Sequence, residues 1–228
     1  MLFPPNCAGC GRPGWRWCPA CAGAVQHPPE PLCELCGTPL EGEAGPVCRV
    51  CARVRPRFRA LRSWSVFEGP VRVALHRLKY RRDLGLAEAL TPQLADFLAG
   101  LAWPVQLLTP VPLGRERLAQ RGYNQASLIA RPLSVAMRVP YAPRALRRSR
   151  ETRSQVGLSR SERRDNVRNA FWADQRRVTG CSVLLVDDIA TTGSTLSSCA
   201  EALYGAGARD VFAFTVSRAM PRHGLRHV

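Results

Sequence analysis

The stretch VLLVDDIATTGSTL, Val183 to Leu196, decides the fold. Four apolar residues, Val183 to Val186, run straight into two acids, Asp187 and Asp188. A short apolar run without alternation is the pattern of a strand buried on both faces, as in a parallel sheet covered by helices. After the acids the chain turns small and hydroxylated through Ala190, Thr191, Thr192, Gly193, Ser194 and Thr195. From Ser194 to Tyr204 the spacing is helical, with Leu196, Ala200 and Leu203 on one face and Gly205 and Gly207 ending it.

A strand, an acid pair, a hydroxyl loop and a helix make a binding device. Parallel sheets take ligands beyond the C-terminal ends of their strands. The first N–H groups of a helix have no internal partner, and its dipole is positive there, so an anion is favoured. Gly193 lets the backbone close on the ligand, and Thr191, Thr192, Ser194 and Thr195 add hydroxyl donors. The acids repel phosphate but accept hydrogen bonds from hydroxyls. A ribose 5-phosphate satisfies both halves, with its phosphate in the loop and its 2′- and 3′-hydroxyls on Asp187 and Asp188. Mg²⁺ can join such a site directly or through water. A Walker B strand is the rival reading. It needs a Gly-Lys-Ser/Thr loop, and the one lysine of the chain, Lys79, sits in RLKYR. Service of the acids as a helix cap is also disfavoured, because Ser or Thr nearer the helix does that alone.

Working outward, LRSWSVFEG resembles a strand and ends in the turn signal Gly69-Pro70. Val71, Leu75 and Leu78 stand at helical spacing, as do Leu86, Leu90, Leu94, Phe97 and Leu98, with Pro92 expected to kink or break that second helix. Val105 to Pro112 reads as a short strand. NQASLIARPLSVAM reads as a helix troubled by Pro132, and VFAFTVSR as another strand. Arg144 to Arg168 holds nine arginines against three acids and little apolar periodicity, so it reads as an exposed loop or a loop with a short helix. Strands alternating with helices give an α/β fold with a parallel sheet flanked by helices.

The first fifty residues are of another kind. Eight of the ten cysteines form four C-x-x-C pairs: Cys7/Cys10, Cys18/Cys21, Cys33/Cys36 and Cys48/Cys51. One such turn aims two thiolates at a point, and a second completes a tetrahedron around zinc. Two four-cysteine sites follow if neighbouring pairs combine; interleaved pairing is also compatible with the spacing. A disulfide framework needs an oxidising compartment, and a redox centre needs a single C-x-x-C in a βαβ setting. Four-thiolate sites are closed, so zinc here is structural, and so little apolar sequence could hardly fold without it. Such a module commonly serves as a docking surface. His27 is expected to be a bystander, and Cys181 and Cys199 to be small core residues. The predicted division is a Cys-rich zinc module at 1–56 and an α/β domain at 57–228.

Lys plus Arg number 33 against 17 acids, a formal charge of +16, nearly all of it arginine. Eight thiolates with two Zn²⁺ would lower that to about +12. Such a charge suits phosphate-rich partners, although codon bias in a GC-rich genome gives the same excess. MLFPPNCAGC lacks the apolar core of a signal peptide and no 18-residue apolar run exists, so a soluble, cytoplasmic protein without a membrane span is expected.

The central stretch resembles the phosphoribosyl-pyrophosphate (PRPP) signature of type I phosphoribosyltransferases. VPLGRERLAQRGYNQA and RETRSQVGLSRSERRDNVRNAF, together with the cysteine segment, extend the resemblance over nearly the whole chain to the ComF/GntX-like family, with Tyr123 where Phe is usual. The resemblance implies a type I phosphoribosyltransferase-like domain behind the zinc module. It places Asp187 and Asp188 on the ribose hydroxyls, Thr191 to Thr195 on the 5-phosphate, and a pyrophosphate loop at Leu113, Gly114 and Arg115. The arginine-rich segment, with Arg150, Arg153, Arg160 and Arg163, corresponds to a mobile lid over pyrophosphate. The zinc module and residues 60–80 would occupy the acceptor-selecting hood. Mg²⁺-dependent displacement of pyrophosphate from C1′ by a nitrogen nucleophile is the chemistry implied. Natural competence, with single-stranded DNA and DNA-uptake proteins as partners, is the setting implied. Trp15, Trp17, Trp64 and Tyr123 could stack on bases, but packing is the favoured expectation for them.

Overall fold

The computed structural model of the chain describes residues 4–40, 42, 45–149 and 170–220. Ahead of the sheet stand two one-turn helices, α1 (Pro19–Gly23) and α2 (Arg49–Arg53), each beginning just after a cysteine. Then follow β1 (Ala60–Val66), α3 (Gly69–Tyr80), α4 (Leu86–Gly100), β2 (Leu107–Pro110), α5 (Arg115–Arg121) and α6 (Gln125–Ala136). The chain ends with β3 (Leu146–Arg148), β4 (Phe171–Ala173), α7 (Gln175–Val178), β5 (Ser182–Ala190), α8 (Ser194–Gly205) and β6 (Asp210–Arg218). Four of these strands form one all-parallel sheet in the order β1-β6-β5-β2.

Strand β5 lies inside the sheet, which is why its sequence does not alternate. Leu184 and Val186 point to one face, into a core shared with α3, α4, α6, Phe212 and Phe214. Val183 and Leu185 point to the other, into a core shared with α8, Val211, Ala213 and the paired strands β3 and β4. The strand is longer than the apolar run predicts. Pairing with β6 continues through Asp187 opposite Thr215 and Ala190 opposite Arg218, so both acids belong to the sheet itself.

Helix α4 runs through Pro92 without the expected break. Proline removes one N–H, which orphans the carbonyl of Glu88, and both residues lie on the exposed face where water can replace the bond. Pro132 is likewise inside α6. The arginine-rich region is not a loop at its start: Leu146–Arg148 pairs antiparallel with Phe171–Ala173. Its residues 150–168, and with them Arg150, Arg153, Arg160 and Arg163, lie outside the described residues. Residues 60–66 are not hood but the edge strand β1, and 69–80 form a helix packed on the sheet.

The cysteine segment is fastened to the α/β body at two places. Cys7, Trp17, Cys18 and Cys21 belong to the same core as α3 and α4, and Trp17 Nε1 donates to Gln93 Oε1 at 3.2 Å. Cys33, Cys36, Cys48 and Cys51 form a small core of their own with Leu35 and Leu40. This second unit lies along β1, where the Leu61 N–H donates to the Leu35 carbonyl at 2.7 Å. Trp17 and Trp64 are buried and Tyr123 donates its hydroxyl to the Leu78 carbonyl, so these three pack as expected; Trp15 is exposed. Among the described residues no helix is long and apolar enough to cross a membrane.

Candidate functional site

The cysteines resolve the pairing that spacing leaves open. Cys7, Cys10, Cys18 and Cys21 come together, as do Cys33, Cys36, Cys48 and Cys51, each set with its sulfurs within 4.8 Å of one another. Neighbouring pairs therefore combine and do not interleave. Cys7 Sγ lies 3.6 Å from Cys21, Cys10 3.7 Å from Cys18, and Cys36 3.8 Å from Cys48. A tetrahedron with Zn–S bonds of ~2.3 Å has edges of about 3.8 Å, so both sets fit zinc. Backbone N–H groups of Cys18, Cys21 and Cys48 point at Sγ atoms of Cys7, Cys18 and Cys33 at 3.4 Å, a bond that favours thiolate. His27 takes no part. Its Nδ1 lies 2.5 Å from the Trp64 carbonyl. Cys199 is a core residue whose thiol is pushed up by burial and then by Asp187; Cys181 is only partly buried.

A buried arginine ties the second cysteine set to the sheet. Arg218, at the end of β6, is 4% exposed. It donates to the Cys36 carbonyl and, at 3.2 Å, to Thr38 Oγ1. From β1, Arg62 donates to the carbonyls of Cys33 and Glu34 at 3.3 and 3.1 Å.

Beyond the C-terminal ends of β5 and β2 lies a cleft of about 490 Å³. Asp187 to Leu196 form one wall, Val111 to Leu113 with Arg117 another, and Phe67, His76, Lys79 and Tyr80 a third; Asn124, Gln125, Arg148 and Ala219 complete it. Gly193 precedes α8 at φ 76°, the left-handed region, which is why the turn requires glycine. Thr192 Oγ1 accepts from the Ser194 N–H at 3.3 Å and lies 2.8 Å from Ser194 Oγ. The expected acids, the hydroxyl loop and Leu113 thus share one cleft. Gly114 is instead buried at the start of α5, and Arg115 turns outward on its first turn; Arg117 reaches the cleft from the same helix.

The two acids are not equivalent. Side chains alternate along a strand, so Asp187 and Asp188 leave opposite faces of the sheet. Asp187 faces the α8 side, near Cys199, and its Oδ1 accepts the Asp188 N–H at 2.9 Å. Burial, and then the neighbouring Asp188, push its carboxyl well above the usual range. Asp188 is 3% exposed and faces α3, where Lys79 Nζ lies 2.7 Å from Oδ2. The contact is an ion pair lying off the hydrogen-bond direction, since Oδ2 has no aligned donor. In the sequence Lys79 bears only on the absence of a P-loop. Its signal was its singularity: in a chain that otherwise uses arginine for positive charge, the one lysine sits in this cleft. A lysine ammonium is a compact point charge on a flexible four-carbon stem, and here it is placed on the buried Asp188 carboxylate. Asn124 has a structural part, donating to the Val111 carbonyl at 2.9 Å and capping α6 through the Ala126 N–H.

A parallel sheet with an acid pair and a hydroxyl loop at its C-terminal edge, carrying two four-cysteine knots, defines an α/β protein with a double zinc ribbon. Residues 1–55 match the double zinc ribbon domain. The chain is 32% identical to the DNA utilization protein YhgH of Escherichia coli K12, over 96% of this chain and all of that protein. It is 30% identical to competence protein F of Haemophilus influenzae, over 83% of this chain and 85% of that one. It is also 30% identical to competence protein ComFC of Bacillus subtilis, over 91% and 86%. The chain belongs to this ComF family. Among solved structures, the B. subtilis glutamine PRPP amidotransferase complexed with ADP and GMP is 24% identical, at a TM-score of 0.38 over 56% of this chain and 26% of that one. Saccharomyces cerevisiae adenine phosphoribosyltransferase is 18% identical, at a TM-score of 0.39 over 60% and 71%.

Proposed function

We propose that the cleft binds PRPP or another ribose 5-phosphate ester, in a cytoplasmic protein that serves the uptake and use of DNA. One observation carries the reading. A glycine-hinged hydroxyl loop at a helix N-terminus and a carboxylate at a strand tip open into the same cleft, one suited to a phosphate and the other to a sugar hydroxyl. In this reading residues 1–56 are the zinc module and 57–228 the ligand-binding domain. Thr191 to Thr195 hold the 5-phosphate, Leu113 and Arg117 border the pyrophosphate, and Asp187 takes a sugar hydroxyl. Asp188 reaches the sugar only when Lys79 moves from it. Mg²⁺ would arrive on the pyrophosphate, neutralising its charge, with Asp187 as the carboxylate open to it. The relatives named for competence and DNA utilization support the setting.

Calorimetric titration of the zinc-loaded chain with PRPP and Mg²⁺ tests this. Saturable binding is expected, with a loss of tenfold or more in Gly193→Val, which cannot hold φ 76° without strain. Equal binding by that variant, or no binding by the native chain, would sink the reading.

A second reading, single-stranded DNA handling, is favoured by the antiparallel β3–β4 pair. Trp172 is 50% exposed there, with the Arg147 guanidinium 5.8 Å from its ring centroid. A base can stack on such a platform. Oligonucleotide affinity that falls steeply with salt and drops in Trp172→Ala is the expected result. Absence of binding at low salt removes this reading.

A further inference from the structure

The cleft has more wall than a sugar phosphate needs. Phe67, His76 and Tyr80 form an aromatic ladder along it, with ring centroids 6.1 Å apart for the first pair, nearly parallel at 21°, and 5.7 Å for the second, tilted by 41°. Tyr80 is 69% exposed, and the Arg121 guanidinium lies 5.6 Å from its ring centroid. A second hollow of about 430 Å³ opens beyond His76 and Tyr80 toward Ala8 to Gly11 of the first ribbon, so the ladder stands between two cavities. Exposed rings beside a cation in a concave wall offer a π-face to a flat heteroaromatic group.

The acids add a second constraint. The two carboxylates leave opposite faces of β5, and Lys79 holds Asp188 at 2.7 Å. One carboxylate, Asp187, remains open to a sugar. Ribose presents two vicinal hydroxyls, whereas 2-deoxyribose in a nucleotide presents one.

We infer that the cleft accepts a 2′-deoxynucleoside 5′-monophosphate, with phosphate on the hydroxyl loop, 3′-hydroxyl on Asp187, base on the Phe67–His76–Tyr80 ladder and no demand for a 2′-hydroxyl. The inference rests on the phosphate and sugar subsites of the proposed function and adds the base and the sugar type. Hydrolysis of DNA phosphodiesters that leaves phosphate on the 5′-carbon is one class of reaction that supplies such a ligand.

The test is calorimetry on the zinc-loaded full chain with four probes: ribose 5-phosphate, 2-deoxyribose 5-phosphate, AMP and dAMP. We expect dAMP to bind within about threefold of AMP and both to bind about tenfold more tightly than the sugar phosphates, the lower end of what base stacking contributes. Tyr80→Ala should bring dAMP to the level of 2-deoxyribose 5-phosphate and leave both sugar phosphates unchanged; Tyr80→Phe should retain the base effect. Zinc content and melting temperature check that the variants are folded. If AMP outbinds dAMP tenfold, or the nucleotides bind no better than the sugar phosphates, this inference falls and the phosphate site stands. If no sugar phosphate binds, both fall.

Discussion

Lys79 and Asp188 are the pair on which the cleft's chemistry turns. Their side chains are 20% and 5% exposed, so neither charge is fully solvated. Removing one partner of a buried pair typically costs about 3–5 kcal/mol, because the other is left unmatched. Lys79→Met is therefore expected to lower the melting temperature sharply. Adding Asp188→Asn should restore much of the loss, and a double-mutant cycle by thermal denaturation measures the coupling. Asp187 behaves oppositely. Its carboxyl is raised by burial and then by Asp188, so at pH values between the ordinary and the raised one the folded chain keeps a proton that the unfolded chain has released. Its contribution thus weakens the fold as pH climbs from the ordinary carboxylate value toward the raised one. Asp187→Asn should then be more stable than the native chain at neutral pH and nearly equal near pH 4, as melting across that window would show. The sequence announced the acids and the hydroxyl loop because they are contiguous. It did not announce that Lys79 would take one acid, because residues 79 and 188 meet only through the packing of α3 on β5. The aromatic ladder was hidden for the same reason: His76 and Tyr80 are helix neighbours, but the cleft they face is built by distant strands.

At the level of elements, the apolar runs of β5 and β6 and the helical stripes of α3 and α8 were readable, since burial imposes their periodicity directly. The prolines misled. Pro92 and Pro132 predict interruption, but each falls within a helix whose other side is anchored by buried leucines, and packing outweighs one lost hydrogen bond. The arginine excess misled as well, since it masked β3, whose three residues are held by pairing with Phe171–Ala173 and not by their own pattern. The junction between the second ribbon and β1 depends on Gly37, at φ 66°, where an added methyl would lie 2.5 Å from the Leu61 carbonyl oxygen. Gly37→Ala should loosen this junction, costing about 1–3 kcal/mol through strain and the lost fit. Faster hydrogen exchange at the Leu61 amide, with the β5 amides unchanged, is the expected signature.

For the molecule as a whole, the two ribbons differ in what they support. The first lends Cys7, Trp17, Cys18 and Cys21 to the main core, so its metal helps hold α3 and α4 in place. Two zinc ions per chain are expected by atomic absorption. Stripping them should depress the cooperative melting of the entire chain, as opposed to melting a detached N-terminal piece first. The cysteine segment also guards a border. On β1 the Leu61 and Val66 amides are taken by Leu35 and Gln26, and the Trp64 carbonyl by His27. On β2, Leu108 is bonded to Pro140 and Ala142. Both rims of the sheet are thereby occupied. An unguarded rim is a template on which another chain can add a strand. Metal starvation should consequently do more than silence a ligand site: it should turn nascent chains into seeds for polymerisation, so that cellular zinc supply sets how much of this protein escapes insoluble deposits.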